Sequence, residues 1–300
     1  MPINVSLRQL EYAVAVADAL GFHKAAAKCH VSQPSLSAQV KQLEGVLGVA
    51  LFERDKRRVL VTGAGEALVA RARRVLVEVE DLAAAAERLR DPFAGTMRIG
   101  VIPTIAPYLL PDVTPGLAKK WPKLKLVFRE EKTADVVRDL AEGRLDAGLV
   151  ALEADLGDLA HETVAKDPFV VAMPKGHPLA KKGRVGVADL DREDVLLLEE
   201  GHCFRSQALA LCERAGAREN EFRATSLATL AQMVTSGAGL TLLPSIAAPV
   251  ENRRGQLEVR PFKPPAPSRT IVLVFRKSSP LVPTFRALAA SMRERVAARR

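Results

Sequence analysis

The chain has 300 residues, 48% apolar and 26% charged, a globular composition too long for one compact core. A net charge of +9 suits a polyanionic partner. No apolar run reaches the roughly 18 residues of a membrane span, the start MPINVSLRQLEYAV lacks a leader pattern, and three cysteines are too few for a disulfide framework, so a cytoplasmic chain with reduced thiols and no membrane partner is expected.

The first 62 residues read as helices. Leu7, Leu10, Val14 and Ala17 fall on one face of the first, and Ala25, Ala26 and Ala27 lie in a short second. After a tight turn at Cys29–Ser32, Ser32 is placed as an N-cap and Pro34 falls in the first turn, where its missing N–H is harmless. Leu36, Val40, Leu43 and Leu47 follow at spacings of 4, 3 and 4 as one stripe of a helix, and Gly48 suits the stop. Two helices joined this way, over about residues 22–41, form a helix-turn-helix whose second helix enters a DNA groove. Its outward face offers Gln33, Ser35, Ser37, Gln39 and Lys41. Arg54, Lys56, Arg57 and Arg58 follow in a turn placed like a wing that grips phosphate.

Residues 64–90 carry Leu68, Val75, Leu82 and Leu89 every seven positions, with Ala72, Val79 and Ala86 in a second seam. That is a coiled-coil stripe, and a second copy of the chain is its simplest partner.

Beyond Pro92 and Gly95 the pattern changes to short β-rich runs: Met97–Ile102, Leu124–Glu130, Ala147–Leu152, Phe169–Met173, Val195–Leu198, Leu240–Leu243 and Thr270–Phe275. Helical stretches near Tyr108–Lys120, Ala134–Glu142, Phe204–Ala215 and Leu227–Ser236 alternate with them, which argues for parallel α/β sheets in two lobes. Asp167–Pro168 and the segment KPPAPS at 263–268 are candidate crossovers. The Arg-rich tail from Arg286 reads as a solvated helix end.

The segment GHCFRSQALALCERAG places Cys203 and Cys212 nine positions apart in one helical stretch, with Gly216 suited to its stop. Nine α-helical positions correspond to about 13.5 Å of rise and put the two thiols on opposite faces. A disulfide needs Cα atoms roughly 4.4–6.8 Å apart, so joining them requires the helix to unwind. Cys203 stands in the helix's first turn, where free N–H groups and the dipole favour a thiolate, with His202 and Arg205 close by. Thiolate attack on peroxide gives a sulfenic acid that a second cysteine resolves. On composition alone, Cys212 among Ala208, Leu209 and Leu211 reads equally as a small buried hydrophobe, and Cys29 reads so outright.

The run AAAKCHVSQPSLSAQVKQLEGVLGVALFER resembles the winged helix-turn-helix of LysR-type transcriptional regulators. The resemblance implies an α/β multidomain fold: a winged helix-turn-helix over 1–62, a linker and dimerisation helix over 63–92, and a two-lobed effector domain like a periplasmic binding protein over 93–300. Lobe I would take about 93–166 plus 269–300, and lobe II about 167–268. Carried over, Ser32, Gln33, Pro34, Ser35, Ser37, Lys41, Arg54, Arg57 and Arg58 would contact DNA. GHCFRSQAL…C…AG, FRATSLATLAQMVTSGAGLTLLP, VIPTIAPYLLP and EEKT are similar to the peroxide-sensing members of that family. That similarity implies Cys203 as the peroxidatic cysteine, Cys212 as the resolving one, and Thr104, Thr133, His202 and Arg269 around the peroxide. It further implies homodimers and homotetramers, promoter DNA, RNA polymerase and a thiol reductant as partners. Ser206 departs from the acidic residue expected in the pattern, which bears on the proton relay.

No metal-ligand spacing, phosphate-binding glycine loop or nucleophile elbow is present, so no cofactor or metal and no enzyme are expected. His177, in the turn-like KGHP, reads as exposed. The rivals are a LysR-type regulator that binds a small metabolite in its cleft, with inert cysteines, and a thiol peroxidase, for which a DNA-binding module would have no role. A periplasmic solute binder fails for want of a leader.

Overall fold

The computed structural model describes residues 4–54, 59–88, 91 and 93–298, with the side chains of residue 54 and of residues 83–88 outside that description. The chain divides into two units, residues 1–90 with 141–143 and residues 91–140 with 144–300.

In the first unit, α1 (Leu7–Ala19), α2 (Phe22–Lys28) and α3 (Gln33–Leu47) pack around one core. Ser6 and Gln9 start α1 as a capping box, the Gln9 side chain accepting from the Ser6 N–H at 3.0 Å. The turn after α2 passes through His30 at φ 53, and α3 stops at Gly48, whose φ of 72 favours glycine. The buried face of α1 is Tyr12, Ala13 and Val16, one step round from the face read in the sequence. Leu7, at the helix start, is exposed, while Leu10, Val14 and Ala17 are half-buried against the core.

A hairpin of β1 (Phe52–Arg54) and β2 (Val59–Val61) follows, and Phe52 meets Phe22 edge-on at 6.0 Å. The helix α4 (Gly63–Arg88) begins against the hairpin. Gly65 is required there, because a Cβ would lie 2.1 Å from the Leu51 carbonyl oxygen. The heptad stripe of α4 divides in two. Leu68, Val69 and Ala72 are covered on the helix's N-terminal half, whereas Val75, Val79 and Leu82 are exposed. Leu89 and the Ala86 side chain lie outside the described residues.

The second unit has β3 (Gly95–Val101), α5 (Ala106–Lys120), β4 (Leu124–Glu130), α6 (Thr133–Ala141), β5 (Ala147–Ala151) and the long β6 (Ala160–Pro174). Then come β7 (Asp194–Leu198), α7 (Cys203–Ala215), β8 (Arg218–Ala224), α8 (Leu227–Thr235), β9 (Leu240–Pro244), α9 (Ala248–Glu251), β10 (Leu257–Pro261), β11 (Ser268–Phe275) and α10 (Val282–Ala298). One sheet runs β4-β3-β5-β11-β6, and β6 continues into a second that runs β6-β9-β7-β8, with β10 also on β6. Each lobe has its own core, one around Ile99, Leu149, Val272 and Phe285, the other around Val171, Leu196, Phe204 and Leu242.

The sheets are mixed rather than parallel. β3 is parallel to β4 and β5, and β7 to β8 and β9, but β11 runs antiparallel to β5 and β6. The chain passes between lobes on β6 and returns beside it on β11, so these strands point opposite ways and pair without a crossover helix. Arg269 stands opposite Asp167 in that register. The strands β8 and β10 and the first half of β6 escape sequence reading because their residues alternate with charges and their faces are only partly covered. The described part of the Arg-rich tail belongs to α10: Phe285, Leu288, Ala289 and Met292 are buried in the first lobe, and Arg286, Arg293 and Arg295 are exposed. Among the described residues, no helix is long and apolar enough to cross a membrane.

Candidate functional site

The recognition-helix reading rests on α3. Ser32 caps it, its side chain accepting from the Ser35 N–H at 3.4 Å, and Pro34 occupies the first turn. Ser32, Gln33, Pro34, Ser35 and Lys41 are exposed, and Ser37 is half-buried. Gln39 is not on the outward face: its side chain accepts from the buried Gln9 amide at 3.2 Å and ties α3 to α1. Arg54 lies on β1 at the loop end of the hairpin, while Lys56, Arg57, Arg58 and the Arg54 side chain lie outside the described residues. Cys29 ends α2, half-buried against the core, where burial raises its thiol pKa.

The cysteine pair sits on one unbroken helix. Cys203 is the first residue of α7 and Cys212 lies in its last turn, with Gly216 closing it at φ 73. The two thiols belong to different cores. Cys203 is half-buried against the first lobe, and Cys212, only 1% exposed, is enclosed in the second. Burial pushes the Cys212 thiol up to about 11, aided by the carboxylates of Glu219 and Glu213. Arg205 does not serve Cys203: its guanidinium donates to Glu219 at 2.6 Å and to the Leu198 carbonyl at 3.2 Å.

A small recess beside Cys203 is lined by Ile102, Pro103, Thr104, Lys132, Thr133 and Gly201 together with His202. Three of the four residues expected around peroxide therefore meet there. The fourth, Arg269, stands directly behind Thr104, donating from Nη1 to its hydroxyl at 2.7 Å and from Nη2 to its carbonyl at 2.8 Å. Because the Thr104 oxygen accepts that bond, its own O–H is left to donate. The Thr133 hydroxyl and His202 Nε2 are buried with no hydrogen-bond partner among the described residues. Two unmatched polar atoms on one recess match a small polar ligand in chemistry, and the recess, with no room for a water molecule as it stands, must open to admit one. Burial lowers the His202 pKa, the Lys132 cation lowers it further, and Glu199 opposes, so the ring is a neutral imidazole at pH 7.

Sequence reading placed Arg269 here but missed the carboxylate that holds it. Asp167 and Arg269 are both 0% exposed, with Arg269 Nε donating to Asp167 Oδ2 at 3.0 Å. Asp167 Oδ1 accepts from the Ser245 hydroxyl at 2.9 Å and the Ile246 N–H at 3.2 Å. The guanidinium also lies 5.6 Å from the ring centre of Phe204, next to Cys203. The only advance signal for Asp167 was its place at a proposed crossover. On the other side of Cys203, a cleft of about 590 Å³ is lined by Thr133, Arg138, Glu153, Ser206 and Gln207 among others. Ser206 is exposed there, and both polar side-chain atoms of Gln207 are buried without partners among the described residues. His177 is turned inward, its Nδ1 accepting from the Leu179 N–H at 3.3 Å and its Nε2 lying 3.3 Å from Glu193. Among the described residues no His, Cys, Asp and Glu cluster could hold a metal ion.

Comparison with known proteins gives two family matches: the bacterial regulatory helix-turn-helix of the lysR family over residues 7–66, and the LysR substrate binding domain over residues 90–297. The chain is 44% identical over 291 residues to a hydrogen peroxide-inducible genes activator of Dickeya chrysanthemi, covering 97% of this chain and 95% of that one. Its fold is similar to full-length OxyR from Pseudomonas aeruginosa, solved as a cysteine-to-aspartate variant (TM-score 0.80, 37% identity, 96% of this chain and 94% of that one). A hydrogen-peroxide-bound cysteine-to-serine OxyR of Corynebacterium glutamicum is also similar (TM-score 0.68, 32% identity, 98% and 94% covered).

Proposed function

The chain belongs to the LysR family of bacterial transcription regulators, and we propose that it senses hydrogen peroxide through a reversible Cys203–Cys212 disulfide that alters its binding to promoter DNA. The observation that carries this reading is the helix α7 itself, which holds its two thiols in separate cores.

The chemistry has two steps. The Cys203 sulfur, as thiolate, attacks one peroxide oxygen; the O–O bond breaks, the sulfur becomes a sulfenic acid, and the leaving hydroxide takes up the thiol's proton as water. Thr104 and Thr133 hold the two oxygens, Arg269 stabilises the leaving charge through Thr104, and the neutral His202 ring completes the wall. The Cys212 thiol then attacks the sulfenic sulfur, its proton leaves with the hydroxyl as a second water, and the disulfide forms. At neutral pH Cys212 rests as a buried thiol, so this step waits on rearrangement of α7. A short strained bridge of this kind is open to reduction by a cellular thiol. The sulfur chemistry thus signals once per oxidation rather than turning over as a peroxidase.

In this reading residues 1–62 bind DNA through Ser32, Gln33, Pro34, Ser35, Ser37, Lys41 and the basic wing, 63–92 join two copies, and 93–300 sense, with lobe I at about 93–166 plus 269–300 and lobe II at about 167–268. Oxidation changes the packing between sensing domains in a homotetramer and re-spaces the DNA-binding pairs, in the cytoplasm alongside the promoter and RNA polymerase.

Thiol titration tests the reading. A stoichiometric pulse of peroxide is expected to reduce the titratable thiols from three to one and to yield a Cys203–Cys212 cross-linked peptide, and Cys203→Ser to yield none. Three thiols persisting while a metabolite shifts the DNA footprint would instead favour a ligand in the cleft beside Glu153 and Arg138.

A further inference from the structure

Lys132 links the two lobes at the point where the cysteine-bearing helix begins. It lies in the connection between β4 and α6 of the first lobe, next to Thr133, while Glu199 and Glu200 follow β7 of the second. The Lys132 ammonium donates to Glu199 Oε1 at 2.9 Å and to the Glu200 carbonyl at 3.3 Å. Its stem lies against the next residue: a Cβ on Gly201, whose φ is +88, would stand 3.1 Å from Lys132 Cδ. His202 and Cys203 come immediately after. One lysine of the first lobe therefore touches three successive residues, 199–201, on the approach to Cys203.

Disulfide closure must bring the Cα atoms of Cys203 and Cys212 from about 13.5 Å along the helix to under roughly 7 Å. Cys212 is enclosed in the second core, whereas Cys203 is only half-buried against the first. The movement thus falls to Cys203 and the residues before it, the stretch that Lys132 restrains.

Resting on the peroxide-sensing reading above, we propose that Lys132 and Glu199 form a clasp across the cleft that restrains residues 199–203 and sets the rate at which the sulfenic acid closes to the disulfide. They are positioning residues for the second step, in which the S–S bond forms as the sulfenic S–O bond breaks and water leaves with the Cys212 proton. The pair is part-exposed, at 40% and 38% of the side chains, so it tunes the rate instead of blocking it, and salt screens it.

The test follows the two steps separately in the full-length protein after one peroxide pulse, the first by trapping the sulfenic acid with a dione probe and the second by quenched thiol alkylation and mass spectrometry. Lys132→Gln and Glu199→Gln are each expected to speed closure roughly two- to five-fold, the range an exposed ion pair spans. Glu199→Gln leaves the first step unchanged, because the lysine charge beside the recess remains. The exchange Lys132→Glu with Glu199→Lys restores slow closure. Added salt speeds closure in the wild type and not in the single variants. Closure unmoved in both single variants, or moved by Lys132→Gln alone, overturns the clasp. A wild-type protein that forms no disulfide overturns the sensing reading itself, a result the clasp variants cannot produce.

Discussion

Asp167→Ala is expected to destabilise the C-terminal unit by about 3–5 kcal/mol, the cost of leaving a buried charge without its partner. The Arg269 guanidinium has three anchored contacts, to the Asp167 carboxylate and to the hydroxyl and carbonyl of Thr104, all out of solvent. Removing the carboxylate leaves the cation buried and also frees the Ser245 hydroxyl and Ile246 N–H. Urea unfolding followed by the single tryptophan, Trp121, which stacks on Phe93 at 4.7 Å in the same unit, reads the loss directly. The double variant Asp167→Leu with Arg269→Met is expected to recover much of the stability, since it replaces both charges with apolar bulk. It should nevertheless react slowly with peroxide, because Thr104 has lost the donor behind it. Near-wild-type stability of Asp167→Ala would show that the pair is solvated in solution.

Leu82→Glu is expected to separate the copies joined through α4, leaving an assembly smaller than the wild type, and to weaken promoter binding by about 10²- to 10⁴-fold, the avidity lost when two linked half-sites become one. Leu82 is 71% exposed on α4, in line with exposed Val75 and Val79, and such a stripe on one helix exposes apolar surface that a second helix would cover. Sedimentation and a DNA titration at fixed salt measure both effects. The charge sits far along the helix from the core that covers Leu68 and Ala72, so the DNA-binding unit should keep its stability. An assembly of unchanged size in this variant would assign the stripe another role.

The parts of the fold legible in the sequence were those whose apolar residues repeat at one period. The stripe of Leu36, Val40 and Leu43 gave α3, and Ser32 and Gly48 gave its ends, because capping is local chemistry. The charged edge strand β8, RENEFRA, gave no such signal, since a strand at a sheet edge needs few apolar residues. On α1, four apolar positions at helical spacing do not say which are covered most: Leu10, Val14 and Ala17 pack at the margin of the core, and Leu7 is exposed. At the candidate site, Cys203, Cys212 and His202 were legible as a segment, since one helix carries them. Thr104 and Arg269 came from the family resemblance alone, because 165 positions separate them and only the sheet order β3-β5-β11 brings them near one another. Asp167 was legible only as part of a crossover and Lys132 only as a member of EEKT, and Glu199 was not singled out, because each acts through a partner on another element.

Amide hydrogen exchange across α7, comparing the reduced protein with the product of a stoichiometric peroxide pulse, tests the central claim most directly. The account predicts that the amides of Phe204–Cys212 lose protection as the Cys203–Cys212 bridge forms, and keep it in Cys203→Ser under the same pulse. A bridged protein whose α7 amides exchange as slowly as before would contradict it.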